Sequence, residues 1–179
     1  MIFRETDLRG AFVIEPERLS DERGFFARTW CSREVTKHGL NPTVSQCNIS
    51  FNNKKGTLRG LHYQEAPHKE AKLVRCTAGA IYDVIIDLRP ASDTFKRWIS
   101  VELNAGNRKM LYVPEGFAHG FLTLADDTEV SYQMSEFYSA EHAKGVRWDD
   151  PAFNIEWPLD IALMTEKDRN FPDFHFVER

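Results

Sequence analysis

Apolar and polar residues alternate over short distances in this chain, and glycine, proline or asparagine interrupts the alternation every few residues. Period-two segments bounded in this way predict β-strands. The clearest are Leu58 to Gln64, Lys72 to Thr77, Ala80 to Leu88, Trp98 to Leu103, Met110 to Val113, Gly120 to Leu124 and Glu129 to Met134. Earlier, Ala11 to Ile14 and Thr43 to Phe51 read as strands and Gly24 to Trp30 as an aromatic, extended segment, while Asn52 to Gly56 supplies a turn. Helical signals are scarce. Ser32 to His38 is the best of them, with Ser32 as expected N-cap and Gly39 as terminator. Thr165-Glu166-Lys167-Asp168 opens a second helix with a Thr-x-x-Asp cap. Too little helix separates the strands for a parallel α/β sheet. The expectation is one all-β domain over residues 1–179, a sandwich or barrel with a few short peripheral helices. The aromatic tail from Phe171 to Arg179 is expected to pack on something, a second subunit being one candidate.

Composition narrows the class. A length of 179 residues accommodates one domain with a substantial core, and 42% apolar with 28% charged residues describes an ordinary globule. The net charge of −4 counts against an extended nucleic-acid surface. Cys31, Cys47 and Cys76 are scattered and odd in number, matching neither a disulfide framework nor a zinc spacing. Reduced thiols in a cytoplasmic compartment are the expectation. No apolar run is long enough to span a bilayer, and Met1 to Asp7 carries no apolar signal region, so no membrane partner is expected.

The candidate chemistry concentrates in Gly56-Thr57-Leu58-Arg59-Gly60-Leu61-His62-Tyr63-Gln64 and Lys72-Leu73-Val74-Arg75. His62 is either a general base or a core histidine satisfied by a buried partner. Strict alternation places it on a face with Leu58, Gly60 and Gln64, and Arg59 on the other, unless the strand is bulged at Gly60. Lys72 is either a snorkelling edge lysine or a buried ammonium facing a developing oxyanion. Arg59 and Arg23 suit a diphosphate clamp, although Arg23 also has Asp21 and Glu22 beside it for a local ion pair. Tyr132 is a packing residue or a proton donor, and Asp168 a capping residue or the carboxylate that orients His62. His119 ends a Pro114-x-Gly116-x-x-His119 run similar to the second half-motif of metal-binding cupins. The first half-motif is broken, because the segment reads His62-Tyr63-Gln64 and leaves only His68 and Glu70 as substitutes; no metal is expected. No phosphate loop, nucleophile elbow or HExxH motif occurs.

Taken in order, several segments resemble the dTDP-4-dehydrorhamnose 3,5-epimerase family from about Leu8 to Asp168. They are Asp21-Glu22-Arg23-Gly24-Phe25-Phe26, Gln46-Cys47-Asn48-Ile49-Ser50, the Gly56 to Gln64 run, Lys72 to Arg75, Asp83 to Arg89, Pro114 to Phe121, Tyr132 and Trp148-Asp149-Asp150-Pro151. Each piece alone is common, while their order and spacing together are specific. The resemblance implies a cupin-like jelly-roll homodimer without metal or cofactor. The implied reaction is epimerisation of a nucleotide-linked 4-keto-6-deoxyhexose at C3, C5 or both, serving rhamnose-type polysaccharide synthesis. By position, His62 would be the base with Asp168 as its partner, Tyr132 the acid, and Lys72 the enolate stabiliser. Arg59, Arg23 and His119 would hold diphosphate and sugar, Gln46 and Asn48 the nucleotide side, and Tyr138 would stack on the base.

Three positions depart from the family pattern. Arg28 and Ala143 stand where many members carry glutamates that belong to the substrate-contacting set, and Glu70 replaces a common glutamine. These changes leave open a CDP- or GDP-linked sugar and epimerisation at a single carbon. A 3,4-ketoisomerase on the same scaffold and a sugar-binding module without catalysis are the other readings.

Overall fold

The computed structural model describes residues 1–175. Along these residues run β1 (Ile2–Glu5), β2 (Phe12–Glu15), β3 (Arg18–Asp21), β4 (Gly24–Ala27), α1 (Ser32–Lys37), β5 (Gln46–Asn52), β6 (Leu58–Gln64) and β7 (Lys72–Ala78). There follow β8 (Ala80–Asp87), β9 (Trp98–Asn104), β10 (Met110–Val113), β11 (Phe117–Thr123), β12 (Thr128–Met134), β13 (Ala143–Gly145) and α2 (Glu166–Arg169). One sheet has the order β1-β2-β10-β7-β12-β5, a second β13-β6-β11-β8-β9, and β3 pairs β4 in a separate hairpin. Every pairing between these strands is antiparallel. This is the all-β sandwich the alternation predicts, in the cupin-like form the resemblance implies. Among the described residues, no helix is long and apolar enough to cross a membrane.

The central strands of both sheets are covered on both faces, which explains why so many of their residues are buried, while β1 and β5 at the edges of the first sheet are largely exposed. Val74, Cys76, Leu111 and Val130 from the first sheet meet Ile81, Ile85, Phe117 and Phe121 from the second in the central core. The alternate residues of the first sheet, Phe12, Ile14, Leu73, Met110 and Tyr112, pack outward against Val35 of α1 and Leu40. Those of the second, Leu61, Val84, Ile86 and Ala118, are covered by Val146, Phe153 and Phe174. The central core fills one end of the sandwich. Polar side chains occupy the inner faces at the other end, where Lys72, His119 and Tyr132 line a cleft.

One expectation needs correction, and two open alternatives are decided. The N-cap of α1 is Cys31, not Ser32: Cys31 is extended, and its carbonyl accepts the first helical bond, from the Val35 N–H. Gly39 does terminate the helix, in the left-handed region with φ 71°. The aromatic tail packs on its own chain as far as it is described. Phe171 sits edge-on to His62, and Phe174 lies against Phe153 and Phe95; residues 176–179 of that expectation lie outside the described residues. The strand β6 takes the bulged alternative. Its pairing with β11 sets His62 opposite His119 and Arg59 opposite Phe121, so Gly60 and Leu61 together face the single residue Gly120. This bulge turns Arg59 onto the same cleft as His62. The two glycines make it possible. A Cβ on Gly60 would sit 2.5 Å from the Gly120 Cα, and one on Gly120 would sit 2.7 Å from the Arg59 carbonyl oxygen.

Candidate active site

The cleft between the open ends of the two sheets has a volume of about 660 Å³. One wall comes from the second sheet and α2. There His62 Nε2 lies 2.7 Å from Asp168 Oδ1, and the other carboxylate oxygen accepts the Gly60 N–H at 3.3 Å. Asp168 is almost fully buried and the His62 side chain is 45% exposed, so the pair presents the imidazole to the cleft and hides the carboxylate behind it. Burial works against the charge on Asp168. The bond to His62, helped by the backbone N–H of Gly60, outweighs it and holds the carboxyl below the usual carboxylate range. An ionised Asp168 fixes the proton on Nε2 and leaves the lone pair on Nδ1. His62 is thus both alternatives at once: satisfied by a buried partner, and open to a ligand on its other nitrogen.

Directly opposite His62 in the ladder stands His119, whose Nε2 lies 2.7 Å from the buried Asp83. Sequence reasoning assigned Asp83 no role; its signal is its place on the inner face of β8, two residues from Ile81 and Ile85 in the core. Arg59 reaches along the wall to donate to Asn52 Oδ1 at 2.7 Å and to the Phe51 carbonyl at 3.3 Å.

The facing wall comes from the first sheet. Tyr132 on β12 is half-buried and lines the cleft. Burial pushes its phenol above the ordinary value, with the positive charge of Arg59 acting in the opposite sense, so the phenol keeps its proton at neutral pH. Lys72 on β7 is buried rather than snorkelling. Its Nζ contacts Glu70 Oε1 at 3.1 Å and donates to the His62 carbonyl at 3.3 Å. Gln46 and Asn48 line the cleft from β5, each donating to the Met134 sulfur, and Gln46 Oε1 accepts the N–H of Tyr138. Tyr138 is exposed at the cleft edge.

Nine of the eleven residues singled out from the sequence therefore meet at one place. Arg23 and Arg28 do not. Arg23 sits on the exposed β3–β4 hairpin, paired with Asp21 at 2.6 Å, and Arg28 pairs with Glu34 at 2.7 Å; neither lines the cleft of this chain. In their place Lys144 of β13 and Lys167 of α2 line it. Lys144 had no pattern of its own, since β13 exists only by pairing with β6. Lys167 was readable as the neighbour of Asp168 in a capped turn. Among the described residues, no group of three or more His, Cys, Asp or Glu is disposed to hold a metal.

The cleft thus brings an imidazole, a phenol and an ammonium onto converging walls, with Arg59, Lys144 and Lys167 also lining it. Comparison with known proteins identifies the family. The family model described as dTDP-4-dehydrorhamnose 3,5-epimerase matches residues 5–175. The dTDP-4-dehydrorhamnose 3,5-epimerase of Methanothermobacter thermautotrophicus is 45% identical over 94% of this chain and 92% of that protein. The crystal structure of the Bacillus anthracis dTDP-4-dehydrorhamnose 3,5-epimerase with TDP and PPi bound superposes with a TM-score of 0.92 at 42% identity, covering 97% of this chain and 99% of that one. ChmJ, a 3'-monoepimerase from Streptomyces bikiniensis solved with dTDP-quinovose, gives 0.86 at 34% identity over 94% and 85% of the two chains. Sequence, fold and the composition of the cleft converge, and the chain belongs to the dTDP-4-dehydrorhamnose 3,5-epimerase family.

Proposed function

We propose that this chain epimerises dTDP-4-dehydro-6-deoxyglucose at C3 and C5 to give dTDP-4-dehydrorhamnose, through an enolate at each carbon. The observation that carries the reading is the His62–Asp168 pair on one wall with Tyr132 and Lys72 on the other. The 4-keto group acidifies both neighbouring C–H bonds, because either carbanion delocalises onto the C4 oxygen. His62 Nδ1 takes the proton, and Asp168 stabilises the imidazolium that results. Lys72 donates to the C4 oxygen as negative charge develops there. Tyr132 returns a proton to the opposite face and is itself reprotonated from solvent, while the His62 imidazolium releases its proton to solvent before the second carbon reacts. One proton leaves and one arrives at each carbon, so the reaction balances without a redox cofactor. Arg59, Lys144 and Lys167 supply the positive charge that a diphosphate requires, His119 a polar contact to diphosphate and sugar, and Gln46, Asn48 and Tyr138 the nucleotide side.

The same reading assigns the chain to a homodimer in a reducing, cytoplasmic compartment. Leu19 and Phe26 of the β3–β4 hairpin are 67% and 70% exposed, and Ile49 and Phe51 line the outer edge of β5 beside the cleft. An apolar hairpin and an uncovered edge strand call for a second copy. In such a pair Arg23 enters the cleft of the partner, which reconciles its expected role with its distance from its own. Three free, unpaired thiols accord with the compartment.

Proton NMR in D2O with dTDP-4-dehydro-6-deoxyglucose tests the reaction: deuterium enters C3 and C5 and the rhamno product forms. The likeness to ChmJ favours one alternative, a mono-epimerase, which deuterium at C3 alone would identify. No exchange with folded protein overturns the proposal and directs attention to CDP- and GDP-linked 4-keto sugars. Light scattering on the eluting protein tests the dimer, and a monomer mass refutes it.

A further inference from the structure

Glu70 lines the same cleft, and nothing in the reaction above uses it. It lies on the segment between β6 and β7, and its side chain is 4% exposed. Among the described residues, its carboxylate meets one polar partner, Lys72 Nζ, while Oε2 is buried without a hydrogen bond. Placing a carboxylate there is unfavourable on two counts. Burial costs solvation of the charge, and a negative group beside a developing enolate opposes the chemistry. The segment does not need it for its own fold. The N–H of Ala71 is held by Ser135 Oγ and its carbonyl by the Ser135 N–H, and the His68 carbonyl accepts from Gln64.

Counting the donors of Lys72 gives the carboxylate a task. An ammonium has three N–H groups. Nζ donates one to the His62 carbonyl at 3.3 Å and lies 3.1 Å from Glu70 Oε1 as an ion pair. Two oxygens fixed in the wall leave the third N–H for the cleft, which Lys72 lines. Without Glu70, the flexible four-carbon stem of lysine is tethered by one long bond.

We infer that Glu70 is a positioning residue that aims Lys72 at the substrate's carbonyl oxygen, an inference that rests on the proposed enolate chemistry. Acceptor geometry carries the effect, not the negative charge. Glu70→Gln retains an oxygen facing Nζ; Glu70→Leu does not. The test is the rate of solvent deuterium entry at C3 and C5, with kcat and KM, for wild type, E70Q, E70L, K72M and the double variant E70L/K72M. E70L should lose about 100-fold in exchange and kcat, the scale of a catalytic group displaced by about 1 Å, with KM within about 3-fold. E70Q should stay within about 5-fold of wild type. In the K72M background E70L should add less than about 2-fold, because the group it positions has gone. The double variant buries no charge at this site, so it remains measurable if E70L alone folds poorly. E70L exchanging like wild type, E70Q falling as far as E70L, or additive losses in the double variant would each overturn the inference. No exchange in the wild-type enzyme would instead overturn the epimerase reading, so the two failures are distinguishable.

Discussion

Asp168→Asn changes one atom in the site and should silence the base. The carboxylate accepts on both oxygens, from the His62 ring at 2.7 Å and from the buried Gly60 N–H at 3.3 Å. An amide cannot do both. With its oxygen toward His62, its NH2 confronts the Gly60 N–H, a buried donor left unpaired at a cost of about 1–3 kcal/mol. With its oxygen toward Gly60, its NH2 faces Nε2, which must then accept, and the ring proton moves to Nδ1. Moving a proton between ring nitrogens is the cheaper adjustment, and it removes the lone pair the reaction needs. Charge adds a further term. Opposite charges about 4 Å apart are worth roughly 4 kcal/mol at an effective dielectric of about 20. The ring is 45% exposed, so solvent screening leaves about half, roughly 2 kcal/mol or 30-fold in rate. Lost general-base catalysis of about 10²–10⁴-fold bounds the effect from above.

The expected result is a kcat at least about 30-fold lower, with KM within about 3-fold, read from NMR initial rates. The deficit should also be flat with pH. The folded carboxyl titrates below its unfolded value of about 3.9. Its contribution is therefore fully present above about pH 5 and lost only as pH falls through the folded value. A variant with kcat within about 3-fold of wild type, or a deficit that vanishes between pH 6 and 8, would refute the assigned pairing.

Three further outcomes follow from the geometry. Tyr132→Phe should lose about 100-fold or more in product formation while deuterium still enters the substrate, since His62 alone can remove and return a proton on one face; full turnover would exclude the phenol as acid. Gly60→Ala forces a Cβ to within 2.5 Å of Gly120 at φ 122°, and should cost at least about 3 kcal/mol, or roughly 6–12 °C in Tm by calorimetry; an unchanged Tm would refute the bulge. Asp87 is disfavoured by burial, but the bonds from Arg89, Ser92 and Thr94 outweigh it and hold the carboxyl below its usual range. Asp87→Ala should destabilise by about 3–5 kcal/mol at pH 7. Because the folded value lies below the unfolded one, the gap in urea stability should narrow as pH falls below about 4, and a gap that widens there would count against it.

What the sequence revealed followed from how local the cause was. Central strands announced themselves because both of their faces are buried and their apolar runs are bounded by turn residues. β13 did not, being three residues held only by pairing with β6. Gly60 signalled an irregularity, but the bulge depends on Gly120, sixty positions away, so the side on which Arg59 emerges was not readable from β6 alone. Arg23 shows a different limit: its local pairing with Asp21 was legible, while its distance from the cleft of its own chain was not, because that depends on where the β3–β4 hairpin sits in the fold.

Asp168 shows why two readings that compete in a sequence can both hold in a structure. A capping role and a partnership with His62 look like alternatives for one side chain, and local pattern favours the cap. In the fold the cap is made by Thr165, whose hydroxyl accepts the backbone N–H of Asp168. That bond uses none of the carboxylate. Both oxygens remain for Gly60 and for a histidine 106 residues earlier in the chain. The four-residue helix is too short to be stable by propensity alone, and the capped turn and the buried carboxylate fix it against β6 together. The same short turn also brings Lys167 to the rim of the cleft. Local chemistry thus decides that the turn exists, and the distant contact decides what it is for.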